Sequence, residues 1–507
     1  MLIRIPLFLA TLLLLPATVL AAADKVPVAK PIEGAGNELE VPYLPEHRDV
    51  LHQGQFGDEY STRLNVHWPD DDRPHPCIIF VHGGGYGAGH KDTGFHGGAI
   101  ELAVQRGFTV ANLNYVLGRD MFPQVFYDTK AAIRFLRKHA DELHIDPDRV
   151  GAWGFSAGGW LATSVGFSTA GDIMITNKQS IAEAWSRDDP RTVAGLKRIA
   201  RPPKSNLAGL LVPMDAAAPL YGDYSARLSA LQVDFAHNTN LATPDDPVVL
   251  TYVGEGGISK WREDARQGGL RQETLVVPGE KYAGDSTVHV PKLNTMTVSA
   301  DGKTPVDLKT RVLEWFEEKL INDARVAAPE FRPNMRVFRD SVEVEAVTTS
   351  PAVRVHYTID GSEPTTDSPY FEKLMLNQST TIRAIAVRDG MRPSGVVTVR
   401  YAKGEPPPKI AAPDELPVGI VGEPYRVTFA TEDKPVVWRL AAHYRTAQGH
   451  RFKGDFSDYT GLEFDIVTGT LSGTPKVAGT FLLQPQAAWN IGEVAGTRAY
   501  VLKIEPE

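Results

Sequence analysis

One cysteine, Cys77, stands in 507 residues, so no disulfide can form within the chain. Any stability must come from cores large enough to hold without cross-links. Basic runs and aromatic-basic clusters are missing too, the formal charge is −9, and nucleic acid is therefore excluded as an expected partner. No HExxH or comparable grouping of histidines and carboxylates occurs, which argues against a metal centre; no cofactor is expected. After the first two dozen residues no apolar run approaches the length needed to cross a bilayer.

The start is different. MLIRIPLFLATLLLLPATVLAAADK joins an early arginine to a short apolar core and small residues at Ala21 and Ala23, the pattern of a secretory signal over 1–23. A membrane anchor is the competing reading. Export without disulfides points to a periplasmic or extracellular location.

From about 45 to 325, apolar runs alternate with helical patterns: CIIFV, AIELAVQRG, FTVANLNYV, DTKAAIRFLRKHADELH, RVGAWGF, AGLLVPM, PVVLTYVG, ETLVVPG and VDLKTRVLEWFEEKLI. Such alternation predicts a mostly parallel sheet covered on both faces, that is, an α/β fold. Polar, poorly periodic residues 168–208 suggest an insertion or lid. Beyond Asp323 short alternating segments (VEVEAV, VRVHYTI, TTIRAIAV, VVTVRY) predict a small all-β sandwich over 326–402. KGEPPPKIAAP at 403–413 reads as a stiff linker, and PYRVTFA, PVVWRLA, LEFDIVTGTLSG and AYVLKI predict a second sandwich over 414–507.

Two motifs carry the chemistry. GFSAGG at 154–159 follows a strand pattern and precedes a helical one, so Ser156 is placed on a sharp turn where Gly154 and Gly158 remove obstructing side chains. HGGGYGAG, starting at His82, follows the apolar run CIIFV. Acyl transfer through serine creates a tetrahedral oxyanion that backbone N–H groups must meet. Gly83, Gly84 and Ala157 are the natural donors, with Ser156 as nucleophile and His82 orienting the loop rather than acting as base.

HGGGYGAGHKD, LNYVLG and FPQVFYDTKAAIRFLRKHADELHIDPDRVGAWGFSAGGWLA make residues 24–325 resemble an α/β-hydrolase of the esterase/lipase group, related to hormone-sensitive lipase and to bacterial feruloyl and acetyl-xylan esterases. The resemblance is dense over 77–163 and implies the same oxyanion donors. HYTIDGSEPTTDSPYFEKLMLNQSTTIRAIAVRDGMRPSGVVTVRY resembles the C-terminal module of chitobiase or β-hexosaminidase. LPVGIVGEPYRVTFA and GLEFDIVTGTLSGTPKVAGTF resemble an immunoglobulin-like module of bacterial secreted proteins. Tyr357, Tyr370 and Trp438 are candidates for stacking on sugars, with core packing the commoner role for each.

The rest of a triad is less legible. Only His237 and His289 lie between Ser156 and residue 325, and His289 stands after ETLVVPG, where the base belongs. A surface or substrate-contacting role for His289 stays open, because EKYAGDST intervenes. The acid must hold the histidine's Nδ1–H. Glu255 in TYVGEGG comes first, with Asp264 and Asp215 as substitutes. Asp128 is expected to cap the helix TKAAIRFL, whose Arg134, Arg137 and Lys138 are expected on a solvated face. These readings together imply a secreted serine carboxylesterase acting on small-molecule or polysaccharide esters, acetylated or feruloylated, with possible glycan contact through the β-modules. The alternatives are an inactive hydrolase scaffold that binds glycans or sits at the cell surface, and a serine peptidase.

Overall fold

The computed structural model describes residues 29–44, 62–85, 89–92, 98–116, 124–167, 173–175, 211–213, 225–233, 247–255, 272–281, 293–333, 336–404, 406, 408–432, 437–443, 456–465, 468–488 and 496–507. The signal segment 1–23, most of the region 168–208, and His237, Asp215, Asp264 and His289 lie outside them.

The first strands are β1 (Ala35–Pro42), β2 (Arg63–Pro69) and β3 (His75–Val81), followed by α1 (Ala99–Gln105), β4 (Thr109–Leu113), α2 (Gln124–Lys138), β5 (Ile145–Gly154) and α3 (Ala157–Phe167). After them come β6 (Ile173–Ile175), β7 (Leu211–Pro213), β8 (Ala230–Val233), β9 (Val248–Glu255), β10 (Gln272–Lys281), β11 (Met296–Val298), β12 (Pro305–Asp307) and α4 (Leu308–Glu317). Among the described residues, eight strands form one sheet in the order β1-β2-β4-β3-β5-β8-β9-β10. β1, β2 and β4 pair antiparallel, and β4, β3, β5, β8, β9 and β10 run parallel.

β3 shows why the sheet is buried on both faces. Cys77, Ile79 and Val81 enter one core with Val125, Phe126, Leu136 and Leu161 of α2 and α3, whereas Ile78 and Phe80 enter another with Val104, Leu313 and Phe316 of α1 and α4. A strand alternates its side chains between faces, so an unbroken apolar run serves two cores at once. Each fully buried aliphatic or aromatic side chain contributes about 1.5–3 kcal/mol. Burial also pushes the Cys77 thiol up to about 12, so it stays an inert apolar side chain.

Two elements depart from the sequence reading. The described part of AGLLVPM, Leu211–Pro213, pairs with Ile173–Ile175 in a separate two-stranded ribbon rather than in the main sheet. The sheet position beside β5 belongs to Ala230–Val233, a four-residue strand too short to stand out in the sequence.

The following segment holds β13 (Glu330–Arg332), β14 (Val337–Phe338), β15 (Val342–Val347), β16 (Arg354–Thr358), β17 (Lys373–Leu376), β18 (Thr380–Val387) and β19 (Val397–Lys403). Sheets β13-β15-β17 and β14-β19-β18-β16 enclose a core of Phe331, Val344 and Leu376 against Val355, Ile382 and Val399. Another sandwich follows, with Trp438, Phe481 and Leu502 from one sheet against Val427, Leu462 and Leu471 from the other. Within 403–413, Ile410–Ala412 pairs with Ala430–Thr431. Trp438 is core, Tyr357 is half-buried against Phe371, and Tyr370, contrary to the packing expectation, is 54% exposed.

The helix α2 corrects three expectations at once. It begins at Gln124, so Asp128 lies inside it, buried, rather than capping its start. Arg134 and Arg137 are buried as well, and of the three basic residues only Lys138 faces solvent. The reason is a neighbour that local periodicity cannot reveal. Arg134 pairs with Glu330 of the first sandwich at 3.3 Å, and Arg137 donates to the Pro147 carbonyl at 3.0 Å and the Arg227 carbonyl at 2.5 Å. Close by, Arg388 of the sandwich reaches Asp146 at 3.0 Å and Asp148 at 2.6 Å, and Ser350 donates to Asp148 at 2.7 Å. This polar seam joins the first sandwich to the N-terminal end of β5, a strand's length from the residues that follow Gly154.

Candidate functional site

Ser156 sits between the C-terminal end of β5 and the first residue of α3. Its φ is 50°, in the left-handed region that non-glycine residues rarely occupy. Such strain persists only where the surroundings over-determine it, and here the surroundings are backbone. A Cβ on Gly154 would stand 2.5 Å from the Gly158 carbonyl oxygen, and one on Gly158 would stand 2.5 Å from the His82 carbonyl oxygen. Gly158 N–H donates to Phe155 O at 2.8 Å and Trp160 N–H to Ser156 O at 3.1 Å, so the helix begins immediately after the turn. Ser156 is half-buried while its neighbours Phe155 and Ala157 are buried.

The glycine segment after β3 lies directly against this turn. A Cβ on Gly83 would be 2.9 Å from Phe155 O and 3.0 Å from Ser156 Cβ, so only glycine permits the approach. Phe155 N–H donates to Val81 O at 3.2 Å and ties the two strand ends together. Gly84 has φ 123°, again a glycine-only conformation. Of the sequence-predicted residues, the structure thus brings together Ser156, Gly83, Gly84 and Ala157.

His82 sets the direction of the Gly83–Gly84 peptide. Its Nδ1–H donates to the Gly83 carbonyl at 2.7 Å, and because the peptide is trans and planar the Gly84 N–H faces away from the imidazole. The ring stacks on Tyr115 with centroids 4.4 Å apart, and Tyr115 Oη–H donates to the His82 carbonyl at 2.7 Å. Burial pushes the imidazole down to about 4, so it is neutral in the physiological range and holds this tautomer. His82 is thereby occupied in shaping the loop, as the sequence suggested.

Behind the segment lies a polar cluster that sequence reasoning missed. Lys91, 1% exposed, carries its ammonium between Glu40 and Asp92, the latter at 2.5 Å. Asn65 and Asn112 donate to Asp92 Oδ1 at 2.7 and 3.3 Å. HKD after HGGGYGAG was the available signal, but the partners Glu40, Asn65, Asn112 and Asn114 come from β1, β2 and β4 and the residue after it.

The other predicted site residues are not brought into view. Glu255 ends β9, at the same end of the parallel sheet as Ser156, and its side chain lies outside the described set, as do His289, Asp264 and Asp215. Among the described residues no group of three metal-ligating side chains occurs, and no helix is long and apolar enough to cross a membrane.

Residues 64–193 match the BD-FAE family, whose kinship is with hormone-sensitive-lipase-like enzymes, and residues 334–398 match the chitobiase/beta-hexosaminidase C-terminal domain. Among curated proteins, carboxylesterase NlhH of Mycobacterium tuberculosis is 32% identical over 143 residues, covering 27% of this chain and 43% of that protein. Acetyl esterase of Salmonella paratyphi B is 33% identical over 109 residues, covering 21% of this chain and 32% of that protein. The chain therefore spans less than half the length of these relatives. Among solved structures, a truncated carbohydrate esterase from gut microbiota shares 17% identity with a TM-score of 0.36, covering 49% of this chain and 90% of that one. An acetyl ester-xyloside bifunctional hydrolase from Caldicellulosiruptor lactoaceticus shares 17% with a TM-score of 0.31, over 48% and 87%. The architecture is an α/β-hydrolase followed by all-β sandwich strands.

Proposed function

We propose that this chain, an α/β-hydrolase domain of the BD-FAE type carrying a chitobiase-type module, is a serine carboxylesterase with Ser156 as its nucleophile. The observation that carries the reading is the left-handed Ser156, φ 50°, held with its Cβ against the Gly83 backbone. In this assignment Ser156 Oγ attacks an ester carbonyl and the N–H groups of Gly83, Gly84 and Ala157 receive the developing oxyanion. Preformed amides in a water-poor site stabilise such a charge more than water does, because they need not reorganise during the reaction. His289 takes the serine proton and returns it to the leaving alcohol, Glu255 holds the imidazole, and water releases the acyl group. Asp264 and Asp215 are the substitutes for Glu255.

Acetylated or feruloylated polysaccharides are the proposed natural substrates, with export through the 1–23 segment and glycan contact through the β-modules. The chitobiase-type match and the exposed Tyr370 ring support glycan contact. Purified protein should hydrolyse p-nitrophenyl acetate, and Ser156→Ala should lose that activity while keeping the wild-type melting temperature. Unchanged turnover by Ser156→Ala would reject the assignment. A catalytically silent scaffold would instead leave wild type and variant equally inactive.

A further inference from the structure

We propose that Lys91, clamped between Glu40 and Asp92, is the positioning residue that fixes the glycine segment against Ser156; the inference rests on the esterase reading above. Residues 82–85 leave β3 and form the candidate oxyanion backbone, and residues 89–92 lie back against them. The return is tight. Gly89 has φ 99°, and a Cβ there would stand 2.5 Å from His82 Nδ1 and collide with the Gly83 carbonyl oxygen. The Gly83–Gly84 peptide is thus held from one side by the Ser156 turn and from the other by Gly89, two residues before Lys91.

Lys91 anchors that return to the sheet through every group it has. Its N–H donates to Asn114 Oδ1 at 2.7 Å, its carbonyl accepts from Asn112 Nδ2 at 3.1 Å, and its ammonium meets the carboxylates of Glu40 and Asp92. Glu40 reaches it by a local distortion of β1. The pairing of β1 with β2 shifts register between Glu38 and Val41, and Glu40 takes φ 57°, a left-handed conformation in a residue other than glycine. A bulge re-aims a side chain, and here it sends the carboxylate onto the buried ammonium. Glu40 N–H donates to Asn65 Oδ1 at 2.9 Å and Arg63 donates to the Glu40 carbonyl at 2.9 Å, which hold the distorted residue in place.

Burying an ammonium and a carboxylate is costly before they pair, and an apolar substitute of similar volume is often no less stable. Stability alone does not account for the arrangement. A polar cluster in which the buried ammonium meets two carboxylates and its own backbone groups are both hydrogen-bonded imposes one geometry on the backbone that carries it, which is what an oxyanion site requires. Displacement of a reacting geometry by about 1 Å is enough to lower a rate about 100-fold.

Glu40→Gln and Lys91→Met test this in the full chain. Glu40 is half-exposed, so Glu40→Gln keeps the fold even where Lys91→Met does not. Two readouts apply to each folded variant: hydrogen exchange of the peptides spanning 82–92, and kcat and KM for p-nitrophenyl acetate. Exchange over 82–92 should rise about tenfold or more with β5 unchanged, and kcat should fall about 10- to 100-fold while KM stays within about twofold. Wild-type exchange over 82–92 in Glu40→Gln, or faster exchange at wild-type kcat, would overturn the proposal. If wild type itself hydrolyses no ester and Ser156 takes no label from a fluorophosphonate, the esterase reading fails, and exchange alone still decides whether Lys91 fixes the segment.

Discussion

Gly83 and Ser156 are so close that a methyl group on the glycine would stand 3.0 Å from the serine Cβ and 2.9 Å from the Phe155 carbonyl oxygen. Two segments far apart in sequence meet there through backbone. The contact joins the end of β3 to the turn after β5, adjacent parallel strands whose C-terminal ends lie side by side.

Gly83→Ala should therefore push the glycine segment away from the turn. If Gly83 and Gly84 supply oxyanion donors, kcat for p-nitrophenyl acetate should drop about 100-fold or more, the loss seen when one donor is removed. Steady-state kinetics together with a melting curve separate this from unfolding. A folded Gly83→Ala enzyme with wild-type kcat would remove Gly83 and Gly84 from the reaction.

Acid should weaken the fold through His82. Its folded value of about 4 lies below the ordinary 6.5, so the unfolded chain binds the proton first. Stability is full above pH 6.5 and is lost progressively as pH falls to about 4, by at most about 3 kcal/mol. Buried His67, also pushed down to about 4 by burial, acts in the same direction. Urea unfolding of wild type and His82→Asn between pH 7 and pH 4 should show a shallower acid slope in the variant. Equal slopes would mean that His82 is not held neutral.

Removing Arg388 should loosen the seam between the hydrolase sheet and the first sandwich. Asp148 is buried and accepts from Ser350 and Arg388, so Arg388→Ala leaves a buried carboxylate short of its cation. Arg388 is itself partly exposed, and solvent will offset part of the loss; about 1–3 kcal/mol of destabilisation is expected in denaturant titration. Activity on small esters should persist at low denaturant, because the seam lies at the opposite end of β5 from Ser156. A stability unchanged within about 0.5 kcal/mol would show that the seam contributes nothing to the fold.

The alternation of strands and helices was legible because CIIFV and VGAWGF are unbroken apolar runs and VVLTYVG is broken only by Thr251, and a parallel strand buried on both faces needs nothing more subtle. Ser156 and the glycine segment were legible for a related reason. Their backbone conformations and close approaches demand glycine at fixed offsets, and glycine is visible in sequence. What stayed hidden depends on partners distant along the chain. Arg134 and Arg137 look like solvated helix residues until Glu330 and the carbonyls of Pro147 and Arg227 close over them. Lys91 looked equally ordinary, because Glu40, Asn65 and Asn114 reach it only once β1, β2 and β4 are laid side by side. Ala230–Val233 was lost for brevity, a four-residue strand whose place is set by the strands on each side.

The nucleophile can be tested without knowing the natural ester. Treatment of the purified chain with a fluorophosphonate, followed by intact-mass measurement and peptide mapping, reports which side chain becomes covalently modified. The account predicts one adduct per chain, on Ser156, abolished in Ser156→Ala. An unmodified chain, or an adduct on any other residue, would contradict it.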